Sequence, residues 1–254
     1  MALNLSSGFA SLSEKLGSLG FERVRRALAA LALSFFALLY TFLAFNAPPG
    51  WGAAFGALGA CYVVAFFAVV AEWFWGRWFA MGLGWSGVMV AIVSLVMVGW
   101  APALLIYGLA HALVMVPLAG RTMAARYDLQ EGWRQRYRMD ELGVARLRKT
   151  ITRSAASLPS LILWALGPKE GQGMGLLLSF GALALVLAGL NGLVRLRTWG
   201  WLAMGGAAAL TVTCSDLFSP GYFAFAGPDL AAAFLAAALI PFVVPAFRFL
   251  RARA

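Results

Sequence analysis

The polar side chains that fall deep inside apolar stretches are Tyr62, Ser86, Ser94, Tyr107, His111, Ser179, Asn191 and Thr211. One pairing among them could make and break covalent bonds. Ser86 offers a hydroxyl nucleophile, and His111, the single histidine, is a base that could activate it within hydrogen-bond reach. The apolar run that carries Ser86 ends near Gly99, and His111 lies about as far beyond that turn as Ser86 lies before it. The two are therefore expected at equal depth on adjacent antiparallel helices. Tyr62, Tyr107, His111 and Asn191 are the side chains that could line a substrate path, because polar groups in hydrocarbon are costly and are often functional. No carboxylate lies deep in any apolar run. Coupling to protons or sodium usually needs one there, as do the aspartyl intramembrane proteases, so both classes are disfavoured.

The elements that must hold these residues are membrane helices. Hydrophobic residues make up 62% of the 254 positions and charged residues 12%, about half the charged share of a soluble domain. Repeated apolar runs of about 18 residues mark a polytopic α-helical protein. The short alternating segments of a β-barrel are absent. The net charge of +10 is gathered at the ends of apolar runs, the pattern that fixes orientation by holding positive residues in the cytoplasm. With one histidine and two scattered cysteines, neither metal-ligand spacing nor a cofactor motif is present. Cys61 and Cys214 differ in expected depth, which disfavours a disulfide.

In chain order, the expected fold is eight transmembrane helices arranged as two parallel four-helix repeats, with both termini cytoplasmic. Residues 1–20 read as an amphipathic interfacial helix with Leu5, Phe9, Leu12, Leu16 and Leu19 on one face. Residues 21–119 hold the first four spans, near 27–45, 51–70, 79–98 and 102–118. Residues 120–150 form a basic cytoplasmic segment, and residues 151–254 hold spans near 151–168, 173–194, 198–213 and 230–247. Only Lys169 of the basic residues then falls outside. In the polar segment Trp133, Tyr137, Val144, Leu147 and Ile151 form an apolar stripe. Arg134, Arg138, Arg146, Arg148 and Lys149 are expected to face anionic lipid headgroups or a cytoplasmic protein partner. Nucleic acid is disfavoured beside so many spans. The arginine, alanine and glycine bias suggests a bacterial inner membrane.

The repeat rests on matched runs. Leu19-Gly20-Phe21-Glu22-Arg23-Val24-Arg25-Arg26 matches Leu142-Gly143-Val144-Ala145-Arg146-Leu147-Arg148-Lys149, and Trp78-Phe79-Ala80-Met81-Gly82 matches Trp201-Leu202-Ala203-Met204-Gly205. Phe55-Gly56-Ala57-Leu58 recurs as Phe180-Gly181-Ala182-Leu183, and Pro102 has a counterpart in Pro228. Copies of four spans insert in the same orientation, so any central site belongs between them. Gly56, Gly59, Gly181, Gly189 and Gly192 could let the helices approach there.

Gly84-Trp85-Ser86-Gly87 resembles the G-x-S-G nucleophile motif of rhomboid intramembrane serine proteases, in which a histidine on another helix is the base. The resemblance covers four residues, and it implies Ser86 as nucleophile and His111 as base. In rhomboids the two catalytic helices run parallel with another helix between them, a feature that the expected hairpin here lacks. The other reading is a Gly/Ser packing face beside a histidine bonded to a neighbouring helix. Three functions therefore stand: a transporter or permease-type subunit with its site between the halves, a non-catalytic membrane scaffold, and an intramembrane serine hydrolase.

Overall fold

The computed structural model describes the backbone of residues 5–128, 130–137, 140–168, 173–215 and 228–251, and the side chains among these except at 5–19, 136, 137 and 242–251. Arg138, Lys169 and most of the loop between Cys214 and Asp229 lie outside the described residues. Among those described, all regular structure is helical: α1 Leu5–Asn46, α2 Gly52–Val70, α3 Gly76–Val98, α4 Pro102–Met115, α5 Arg121–Asp128, α6 Glu131–Tyr137, α7 Glu141–Leu166, α8 Met174–Val194, α9 Trp199–Thr213 and α10 Pro228–Arg251.

Among the described residues, four stretches are long and apolar enough to cross a membrane: Gly20–Asn46, Gly52–Val70, Gly76–Val98 and Met174–Val194. The other expected crossings fall short for different reasons. The 14 residues of α4 rise about 21 Å against a hydrocarbon core of about 30 Å, and α9 has 15 residues. In α10 the side chains are described only as far as Pro241, and that described part, Pro228–Pro241, is apolar. In α7 the run carries Arg146, Arg148, Lys149 and Arg153 in the same helix that it was expected to follow. Both basic runs lie within helices, and no break separates the expected interfacial helix from the first span: α1 is one helix of 42 residues.

Two rings of helices make up the bundle. In the first, α1 packs on α2, α2 on α3, α3 on α4, and α4 returns to α1. In the second, α7 packs on α8, α8 on α9, α9 on α10, and α10 returns to α7. The rings meet where α7 lies against α3 and α2. Gly82 sets the closeness of that meeting, since a Cβ there would overlap the Thr152 carbonyl oxygen and Ala155. The glycines expected between the halves pack inside the rings instead. Gly59 faces Thr41 and Ala37 of α1, while Gly189 and Gly192 face Met204, Trp199 and Gly200 of α9.

The turn from α2 to α3 is built like the turn from α8 to α9. Trp73 N–H donates to the Ala68 carbonyl and Glu72 N–H to Val69, while Arg197 N–H donates to Gly192 and Leu196 N–H to Leu193. This is the 6→1, 5→2 pattern that ends a helix on a left-handed residue, usually glycine. Here that residue is Glu72 in one turn (φ 55°) and Leu196 in the other (φ 56°). The buried residues Gly200, Met204, Ala207, Ala208 and Thr211 of α9 fall at the places of Gly76, Ala80, Leu83, Gly84 and Gly87 of α3, all buried.

The polar segment is folded onto the bundle. Met123, Tyr127 and Asp128 of α5, Trp133 of α6 and Val144, Leu147 and Ile151 of α7 are buried, so the described members of the stripe expected on the membrane surface face the chain's own core; the Tyr137 side chain lies outside the described residues. Asp140, which interrupts that stripe, caps α7 by accepting a hydrogen bond from Gly143 N–H at 2.7 Å.

Candidate functional site

The first ring holds a hydrogen-bonded aromatic cluster. His111 is fully buried, and its Nδ1 lies 3.0 Å from the Tyr107 carbonyl oxygen one turn back on α4. A carbonyl can only accept, so Nδ1 carries the proton and Nε2 is left with its lone pair. The Tyr62 hydroxyl of α2 donates to that nitrogen at 2.8 Å. Tyr40 of α1 joins the Tyr107 hydroxyl at 3.3 Å. The Phe36 ring covers the imidazole with centroids 3.8 Å apart, and Tyr107 flanks it at 4.2 Å.

Ser86 is close by but takes no part. Gly84 and Gly87 of the same motif face α4: a Cβ on Gly84 would lie 3.0 Å from the His111 carbonyl oxygen, and one on Gly87 would overlap the imidazole itself. The expected depth match between α3 and α4 is therefore present. The Ser86 hydroxyl, however, is buried with no hydrogen-bond partner, and both imidazole nitrogens are engaged elsewhere. Serine and histidine are neighbours without the bond that nucleophilic activation requires.

Of the expected path residues, Tyr62, Tyr107 and His111 come together and Asn191 does not. Asn191 lies on α8, in a cleft of about 520 Å³ between the two rings, a size typical of small-molecule sites. Ala57, Ala60, Cys61 and Val64 of α2 form one wall, with Trp75 just before α3, Phe79 of α3 and Leu158, Ile162 and Leu166 of α7 also lining it. Leu183, Leu187, Leu190, Asn191 and Val194 of α8 close the other side. Asn191 is its single strongly polar side chain.

A charged network at the α2–α3 turn fixes the polar segment. Arg77 Nη1 lies 2.9 Å from Asp128 Oδ2, and its Nε donates to the Leu118 carbonyl at 2.7 Å. The Trp78 indole donates to Asp128 Oδ1 at 2.7 Å, and Arg148 stands 3.6 Å from Oδ2. Arg148, expected on a free surface, is thus turned to a buried carboxylate. Beside this group Arg26 and Arg126 both pair with Glu72, and Arg126 also reaches Glu22 at 3.7 Å. Tyr127 donates to the Val69 carbonyl, and the Gln130 amide to that of Glu72. Burial pushes the Asp128 carboxyl above the usual carboxylate range, with Arg77, Trp78 and Arg148 pulling it down. For Tyr127, burial likewise pushes the phenol up.

Sequence reasoning missed Tyr40, Asp128 and Arg77. Tyr40 stands one helical turn after Phe36, on the face that carries Ala29 and Leu33 into the core. Asp128 and Arg77 showed only as charges near the ends of apolar runs, and pairing across that separation has no local signature. Among the described residues, no group of histidine, cysteine, aspartate and glutamate is placed to hold a metal ion. No family model matches the chain, and no curated protein or solved structure matches it either.

Proposed function

We propose that this chain is a multi-pass integral membrane protein of the transporter or permease type, built from two four-helix copies of one unit, whose working site is the cleft between them. The cleft carries the reading: it lies where α2 and α3 of one ring face α7 and α8 of the other. The recurring turns at Glu72 and Leu196 support the two-copy plan. All eight apolar helices would cross the bilayer, with α4 and α9 completed by their flanking residues and the termini and polar segment in the cytoplasm. An inner bacterial membrane fits the composition. The cleft lining is poor in hydrogen-bonding groups, so the substrate is apolar or amphiphilic, drawn from the bilayer rather than from water.

Reconstitution tests this. Vesicles holding the purified protein and a fluorescent phospholipid are exposed to an impermeant quencher, and the inner-leaflet signal should become accessible. Ala60→Trp, a change at an exposed position on the cleft wall, should restore protection. Protection equal to that of protein-free vesicles would refute the transport reading.

A scaffold role is the second reading, favoured by the polar segment folded against the bundle. The basic residues Arg134, Arg146 and Lys149 would then present anionic lipid or a protein partner with a preformed surface, with Arg148 turned to Asp128. The hydrolase reading has the adjacency of Gly87 and His111 in its favour. Covalent labelling by a fluorophosphonate, lost in Ser86→Ala, would establish it.

A further inference from the structure

Building on the cleft as the working site, we infer that it holds one acyl chain of an anionic glycerophospholipid, whose phosphate is met by Arg195 and Arg197. Three observations converge on that ligand. The first is length. The α8 wall of the cleft extends from Leu183 to Val194, a rise of about 16 Å at about 1.5 Å per residue. One leaflet of a bilayer has about 15 Å of hydrocarbon, so this wall is as long as one extended chain in one leaflet.

The second is polarity along that length. Leu183, Leu187 and Leu190 line the deep part, and Asn191 enters only at the last turn, one helical turn before Arg195. An acyl chain meets apolar side chains along its course, and an ester or glycerol oxygen meets the Asn191 amide at its end.

The third is charge, and here the two halves differ. In the turn after α2, Glu72 is neutralised by Arg26 and Arg126, and α5 lies over the turn through Tyr127. In the matching turn after α8, the corresponding positions are Arg195, Leu196 and Arg197. Both arginines are exposed, and no carboxylate pairs with either among the described residues. Among the described residues, the turn that is covered in one half is exposed and doubly positive in the other, and it follows the helix that forms the α8 wall of the groove. Two unpaired cations there complement a lipid phosphate that carries net charge. Each arginine near an anionic lipid contributes roughly a fivefold preference, so the pair favours such a lipid by an order of magnitude or more over a zwitterionic one.

The protein in nanodiscs of equal parts phosphatidylglycerol and phosphatidylcholine, released into the gas phase for native mass spectrometry, decides the matter. The expected result is one retained phospholipid, with phosphatidylglycerol strongly preferred. Arg195→Gln with Arg197→Gln should keep a retained lipid and lose the preference, and Ala60→Trp should lose the lipid itself. Thermal unfolding checks that each variant is folded, and Ala57→Leu replaces Ala60→Trp if the latter is not. No retained lipid, no headgroup preference, or a preference unchanged in the arginine variant would overturn the assignment. The two readings fail separately. Retained phosphatidylglycerol without leaflet transfer leaves the lipid site and removes transport; transfer without headgroup preference does the reverse.

Discussion

Arg77 Nη1 bridges both carboxylate oxygens of Asp128, at 2.9 and 3.2 Å, where the two residues are 5% and 3% exposed. The pair ties the first turn of α3 to the end of α5, and through Arg148 to α7. Removing one partner leaves the other charge buried and uncompensated, which costs more than the pair itself contributes. Asp128→Ala should destabilise the protein by roughly 3–5 kcal/mol, read as a fall in thermal unfolding temperature in detergent. It should also open residues 121–137 to limited proteolysis before the rest of the chain. A variant as stable and as protected as the parent would show that the pair is not what holds α5.

The same carboxylate sets a pH dependence. Because burial raises the Asp128 value above 3.8, the folded chain binds a proton that the unfolded chain does not in the interval between the two values. Proton uptake on folding favours the folded state. The contribution is thus fully present below 3.8 and is lost as pH rises through the raised folded value. The difference in unfolding temperature between the parent and Asp128→Asn, which cannot titrate, should therefore shift in favour of the parent as pH falls through that window. A difference that moved the other way would mean the arginines outweigh burial.

Two hydroxyls, one in the aromatic cluster and one beside it, should behave oppositely. Tyr62→Phe removes the donor to His111 Nε2 and leaves a buried acceptor unpaired, a loss of about 1–3 kcal/mol. Ser86→Ala removes a buried hydroxyl that has no partner, so its stability should equal or exceed that of the parent. Denaturant or thermal unfolding of the two variants side by side makes the comparison. Destabilisation by Ser86→Ala comparable to that of Tyr62→Phe would reveal a bond to Ser86 that the geometry lacks.

How far this was legible in the sequence depends on the range of the interaction. Apolar runs set the helices, and the shared depth of Ser86 and His111 followed from counting residues to Gly99. The partners of His111 did not follow, because hydrogen bonding to Tyr62 depends on how α2 and α4 are rotated. The matched sequence runs show the same limit. The Trp78 and Trp201 runs match at a separation one shorter than that of the Glu72 and Leu196 turns. In the register of the turns, buried Trp78 falls opposite exposed Leu202, and buried Ala80 opposite buried Met204. Residue identity caught the two stretches, but only backbone conformation gives their phase. The α7 helix was hardest to read because its basic first half and its apolar second half are one continuous element at the centre of the bundle.

Gly87 should tolerate no side chain. A methyl group there would overlap the His111 ring, which Phe36, Tyr62 and Tyr107 hold in place. Gly87→Ala should cost about 1–3 kcal/mol by overpacking, or more if the ring cannot turn. Gly20, with nothing within 4 Å of its added Cβ in helix α1, should instead gain about 0.5–1 kcal/mol on change to alanine. Unfolding temperatures of the two variants test the sign of each; a neutral Gly87→Ala would mean that α4 is free to move off α3.

Arg153 and Pro241 should prove energetically coupled although neither is expected to touch the other. Proline lacks an N–H, so Pro241 in α10 leaves the carbonyl four residues back, at Ala237, without its helical donor. The Arg153 guanidinium of α7 supplies one, and Thr150 donates to the neighbouring Ala238 carbonyl at 3.2 Å. Arg153→Met should therefore cost roughly 1.5–3 kcal/mol, the range for a hydrogen bond from a charged donor. In a Pro241→Ala background the helix regains its own donor, and the same change should cost clearly less. A double-mutant cycle of unfolding free energies measures that difference. Strict additivity would mean that Arg153 serves α10 in some way other than by answering the carbonyl that the proline leaves open.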